Sequence, residues 1–191
     1  MVITYHGANC FRIVSGTFSL VIDPTSERMK PDLTLKTLTN PAEPSADPHL
    51  IDLPGEFDVA GLHGRGLEIL SESTDLFIKT VFVISGLDDL RLAFLGHLSE
   101  TPSRETVESL GHVDILFLPL GGKPYLSPDA AIKTVKLIEP KIIIPALHGS
   151  RADLSSFASE FGDPPAPADK FVVKNKDLPD KGFKVILLKN E

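Results

Sequence analysis

The 191-residue chain has one cysteine, Cys10, and no tryptophan. A single thiol excludes an intrachain disulfide and with it the disulfide-framed secreted folds; the usage fits a reducing cytoplasm. Every apolar stretch is soon broken by proline, glycine or charge, so none approaches the roughly 20 residues of a bilayer-spanning helix, and no membrane partner is expected. The opening Met-Val-Ile-Thr-Tyr-His lacks a basic region followed by an apolar core, so no secretory signal is read and a cytoplasmic location is expected. Lysine and arginine form no run and the formal net charge is −7, which argues against a nucleic-acid backbone as partner. Histidine is also sparse: none occurs between His6 and His49.

What is present is an ordinary globular composition, 42% hydrophobic and 24% charged, enough for one domain with a sizeable core over residues 1–191. The first half reads as strands at residues 2–5, 10–14, 18–22 and 33–38, separated by short glycine-bearing segments or by Asp23-Pro24. Residues 40–48 hold Pro41, Pro44 and Pro48 and read as an irregular loop. Strands follow at 50–53, 57–59, 62–70, 77–85 and 90–95. The second half alternates helix and strand. Residues 102–110 read as a helix with Thr101 as N-cap and Pro102 at its first position. Ser127-Pro128-Asp129 opens a helix running to about Ile138, and a third spans 153–161. Residues 115–118 and 142–144 are continuous apolar strands of the kind buried on both faces, the second ended by Pro145. Residues 171–173 and 183–188 close the chain as strands. These patterns imply two sheets packed face to face with helices outside.

Several landmarks occur in a fixed order: Gly7-Ala8-Asn9-Cys10-Phe11, Val21-Ile22-Asp23-Pro24, Pro54-Gly55-Glu56-Phe57, Phe94-Leu95-Gly96-His97, Asp114 through Gly121-Gly122, and Pro140 through Pro145-Ala146-Leu147-His148. In order and spacing they resemble the metallo-β-lactamase superfamily, in particular its short branch of ascorbate-phosphate lactonase-like proteins. The resemblance implies a single four-layer αββα sandwich with a metal site on one edge. In that family a His-x-His-x-Asp-His loop follows a strand and a threonine. Matching that threonine to Thr37 puts Leu38, Asn40, Ala42 and Glu43 at the ligand positions. Leu38 and Ala42 cannot bind a metal, and Asn40 is a weak neutral donor. Ala8 also stands where the branch commonly has histidine.

The resemblance leaves one ligand set, Glu43 with His97 and His148, and places Asp23 behind it as an orienting residue. Two imidazoles and a carboxylate suit a single zinc or manganese ion, which would lower the pKa of a bound water. The plainer reading is that Glu43 is solvated, that His97 satisfies backbone groups at a strand end and that His148 packs. His6 and His49 remain as replacements for the lost loop histidines. Ser99 near His97 and Ser150 near His148 are conceivable nucleophiles without an evident third group. Glu56 reads as a structural pair, Cys10 as a core residue, Gly121-Gly122 as a tight loop rather than an anion cradle, His63 as an exposed turn residue and His112 as a helix-end cation. Three functions follow. The leading one is a non-catalytic scaffold for a small molecule or a partner protein, without cofactor. The second is a mononuclear hydrolase of lactones or phosphoesters. The third is an oligomer, homo- or hetero-, whose old active-site edge has become an interface.

Overall fold

A computed structural model of the chain describes residues 1–26, 28–43, 45–147, 149–162 and 165–191. The order is β1 (Val2–Tyr5), β2 (Phe11–Ser15), β3 (Phe18–Ile22), β4 (Leu33–Leu35), β5 (Leu38–Thr39), β6 (Leu50–Ile51), β7 (Gly55–Val59), β8 (Leu62–Glu68), β9 (Ile78–Leu87) and β10 (Leu90–Phe94). Then come α1 (Arg104–Leu110), β11 (Ile115–Leu120), α2 (Pro128–Ile138), β12 (Ile142–Leu147), α3 (Arg151–Ser159), β13 (Phe171–Val172) and β14 (Lys184–Val185). One sheet has the order β13-β1-β2-β3-β4-β6; the other is β14-β12-β11-β10-β9-β8-β7, with β5 added against β9.

The fold is mixed α/β with two large sheets face to face, as the strand patterns imply. Alternation along β1 and β2 sends Ile3, Tyr5, Phe11 and Ile13 inward, where they meet Phe82, Phe94 and Phe117 of the second sheet. The ring of Phe117 lies 4.4 Å from Phe94 and 4.8 Å from Phe11, tying the sheets together. Each such fully buried side chain removes enough apolar area from water to stabilise the fold by roughly 1.5–3 kcal/mol. The opposite face of the larger sheet carries a second core, in which Val83, Leu116, Leu118 and Ile143 pack against Leu110, Ala131, Val135 and Phe157 of the three α-helices. The parallel pair β3 and β4 requires a crossover. It is supplied by the residues between Pro24 and Pro31, among them Met29, whose sulfur touches buried Cys10 at 3.7 Å. No helix among the described residues is long and apolar enough to cross a membrane.

Four elements differ from the sequence expectation. The strand expected over 33–38 is two strands, β4 and β5, in different sheets. Lys36 N–H still bonds Ile51 of β6, while the carbonyl of Thr37 already accepts from Thr80 of β9. Pro145 does not end its strand: β12 continues to Leu147 in parallel register with β11. The proline costs no ladder bond because β14 pairs only with Ile142 and Ile143 and is absent beside it. His63 lies inside β8 rather than on a turn, its ring 2.7 Å from Asp58 across the hairpin. The N-cap of α1 is Ser103, whose hydroxyl accepts from Thr106 N–H; Thr101 instead reaches the carbonyl of Ala130. Ser103→Ala is therefore expected to lower stability by about 1 kcal/mol in urea denaturation. A loss no larger than that of Thr101→Ala would contradict this cap.

Candidate functional site

At the end of β3 the chain turns sharply at Asp23, which has φ +43° and donates its N–H to Leu35. This turn aims the carboxylate at Thr37, the residue at which the chain changes sheets. Asp23 Oδ1 accepts Thr37 N–H at 2.7 Å, and Oδ2 accepts the Thr37 hydroxyl at 2.5 Å, within the range of charge-assisted O–H···O bonds. The same hydroxyl oxygen lies 2.8 Å from His97 Nδ1, which is itself 3.8 Å from Asp23 Oδ2. Thr37 is fully buried. Its single proton goes to the Asp23 carboxylate, so its oxygen accepts from His97 Nδ1–H, and the lone pair of the neutral ring falls on Nε2. Burial pushes the Asp23 carboxyl up to about 6, opposed by the two Thr37 bonds and by Lys36.

His97 follows Gly96, which has φ +57° and whose carbonyl accepts from the side chain of buried Asn9 at 2.9 Å. The ring of Tyr125 stands 6.0 Å from that of His97. Beneath them is a void of only about 10 Å3, walled by Phe11, Phe94 and Phe117. The arrangement can fix an imidazole and pass a proton between Asp23 and His97 through Thr37.

The loop at the family's ligand positions is built for other purposes. Leu38 is in β5, in register with Lys79 of β9. Asn40 spends its side-chain oxygen on Ala42 N–H at 3.0 Å and its carbonyl on Glu43 N–H at 3.1 Å, closing an Asx turn. Glu43 is exposed. His148 lies outside the described residues. Among the described residues no group of three or more His, Cys, Asp or Glu side chains is arranged to hold a metal ion.

The remaining sequence candidates lie elsewhere. His6 bonds Thr4 Oγ1 and faces Glu191, and exposed His49 bonds the carbonyl of Asp32 at the far end of β4; neither joins His97. Glu56 pairs with Arg65, and His112 with Asp114. Ser150 is the N-cap of α3, locked in a capping box with Asp153. The N–H groups of Gly121 and Gly122 both go to Leu126, so they cradle no anion. Ser99 is bound by a residue that the sequence reading missed. The Glu72 carboxylate accepts from Ser99 N–H and hydroxyl at 2.9 and 2.6 Å, from Glu100 N–H at 3.1 Å and from Lys79 at 2.7 Å. Burial works against that charge, but these donors hold the carboxyl below its usual range. No local pattern marks Glu72, because Ser99 and Glu100, which supply most of its donors, lie 27 and 28 residues downstream.

Residues 2–147 match the model of the β-lactamase superfamily domain. A UPF0173 protein of Pyrococcus furiosus is 35% identical over 98 residues, 50% of this chain and 43% of that protein. A second, of Pyrococcus abyssi, is 36% identical over 64 residues, 34% of this chain and 30% of that protein. The chain thus matches less than half the length of these curated relatives. Among solved structures, a candidate zinc-dependent hydrolase of the metallo-β-lactamase superfamily from Thermotoga maritima superposes with a TM-score of 0.80, at 23% identity, over 98% of this chain and 97% of that one. An isothiocyanate hydrolase from Delia radicum gut bacteria gives 0.65 at 16% identity, over 91% of this chain and 100% of that one. Two face-to-face sheets with a site at one edge, the model match and these neighbours define the class. The chain belongs to the metallo-β-lactamase superfamily.

Proposed function

We propose that this protein uses the superfamily sandwich as a non-catalytic scaffold that binds a small molecule or a partner protein, and does not carry out two-metal hydrolysis. The observation that carries this reading is the rebuilt loop. Leu38 is a strand residue, Asn40 closes a turn, Ala42 has no donor and Glu43 faces solvent. His97, at the position of the family's bridging acid, is held by Thr37 through Nδ1. The described residues therefore do not fit a dinuclear centre, and no reaction step is assigned to a metal. The loop between β8 and β9 at the same edge supports a partner-binding role: Leu70, Leu76 and Phe77 are 78%, 68% and 50% exposed there.

Protein purified without chelator from medium supplemented with zinc and manganese is expected to carry well under one equivalent of either by elemental analysis. It is also expected to hydrolyse neither lactones nor phosphoesters. Stoichiometric metal together with hydrolysis would overturn the proposal. One equivalent of metal lost in each of His97→Ala, His148→Ala and Glu43→Gln would establish instead a mononuclear centre completed by Glu43.

A further inference from the structure

The geometry points to a binding cavity for an uncharged, apolar-bodied small molecule between α3 and the C-terminal segment. The segment after β14 leaves the larger sheet and crosses to the smaller one: Ile186 N–H bonds Ile143 of β12, Leu187 bonds Ala168, and Glu191 N–H bonds Tyr5 of β1. Its path closes one end of the sandwich and leaves a cavity of about 560 Å3 against α3. That volume lies within the roughly 300–1,000 Å3 of sites for cofactors and drug-sized molecules. Its walls include Tyr5, Pro145, Leu154, Pro165, Pro167 and Leu187. Three of these are prolines, whose rings fix φ and so reduce the backbone freedom that binding must remove. Tyr5 is held as well, its hydroxyl donating to the carbonyl of Ala8 at 2.8 Å.

The polar groups at the cavity define the ligand. Among the described residues Lys189 is the one cation in its lining, and its ammonium is already paired with Asp169 at 2.8 Å. An anionic ligand would have to compete with that carboxylate. Ser155 and Asn190 are the neutral polar residues of a lining that is otherwise mainly apolar. This chemistry fits an aromatic or alicyclic body bearing one neutral polar group. The cavity shares no lining residue with the Asp23–Thr37–His97 chain, so ligand binding here and metal at that edge are independent measurements.

The probe is the uncharged fluorophore N-phenyl-1-naphthylamine, titrated into the full chain. Saturable one-site binding with enhanced emission is expected. Leu154→Trp and Pro167→Trp, which each place an indole at a lining position, should each weaken it at least tenfold in a chain that circular dichroism shows to be folded. Phe77→Ser, which removes exposed apolar surface at the other edge, should leave it unaltered. The inference is overturned if the wild-type chain shows no saturable binding, if every folded filling variant binds as the wild type does, or if Phe77→Ser abolishes the signal. Should one filling variant fail to fold, the other decides.

Discussion

Gly96→Ala is expected to destabilise the protein by at least about 4 kcal/mol, a loss comparable with the whole stability of many single domains. Two effects add. The residue has φ +57°, where an L side chain costs roughly 1–2 kcal/mol. The larger effect is steric, because a Cβ at this position would stand 2.3 Å from both Cβ and Oγ1 of Thr37 and 2.8 Å from its Cγ2. Thr37 cannot retreat. Its N–H and hydroxyl are bound by Asp23, and its carbonyl accepts from Thr80. Gly96 is pinned from the other side by Asn9. Gly16 separates the two effects, since it has φ +60° with nothing within 4 Å of its Cβ position. Urea denaturation should show Gly16→Ala costing only the backbone strain and Gly96→Ala several times more. Equal losses would mean that the contact between Gly96 and Thr37 does not hold the site together.

The same contact explains which parts of the molecule can be read from the chain. β1, β3 and α2 follow from local pattern: residues 2–5 and 18–22 are bounded by turn segments, and Ser127-Pro128 both caps and starts its helix, with Ser127 accepting from Ala130 N–H. The landmarks around Asp23, Gly96 and Pro145 carry the superfamily because their order along the chain is retained. The break at Lys36–Thr37 is not legible. Leu33, Leu35, Thr37 and Thr39 are all buried and alternate without interruption, as one strand would. What divides them is a side chain 14 residues earlier, Asp23, taking the Thr37 N–H. The partner of His97 was hidden for a similar reason. Thr37 served in the sequence only to align the ligand loop, yet it is the residue that binds His97 from 60 positions away. Asp23 reaches His97 through that threonine's hydroxyl. Glu43 is legible as a carboxylate but its direction is not, because the Asx turn that presents it to solvent depends on which partner the Asn40 side chain takes.

Thr37→Val removes that hydroxyl while keeping nearly the same shape, and is expected to cost about 3 kcal/mol at pH 7. Two hydrogen bonds vanish, one of them to the mostly buried Asp23 carboxylate, which is left with its bond from Thr37 N–H. The loss should depend on pH with a definite sign. The Asp23 carboxyl is raised to about 6 in the folded chain against an ordinary value of 3.8, so between those values the folded state holds a proton that the unfolded state has released. The contribution of Asp23 to stability is therefore greatest below about pH 4, falls as pH rises, and is constant above about pH 6. A shift of about two units corresponds to about 3 kcal/mol across that window. The Thr37 hydroxyl is the strongest influence holding this carboxyl down, so its removal moves the upper limit of the window higher and makes the penalty at pH 7 larger than at pH 4. Asp23→Asn provides the reference. An amide can accept Thr37 N–H and donate to Thr37 Oγ1, but does not titrate, so the stability difference between wild type and this variant isolates the carboxyl from every other ionising group. Denaturation of the three proteins from pH 4 to pH 8 should show the wild type losing stability relative to Asp23→Asn as pH rises from 4 to about 6, and a constant difference above that. A flat difference would mean that Asp23 ionises as an ordinary solvated carboxylate. The same relay fixes the His97 tautomer above pH 6. Nitrogen NMR should then find the proton of the neutral ring on Nδ1 in the wild type and moved to Nε2 in Asp23→Asn, where Thr37 turns its own proton toward the ring.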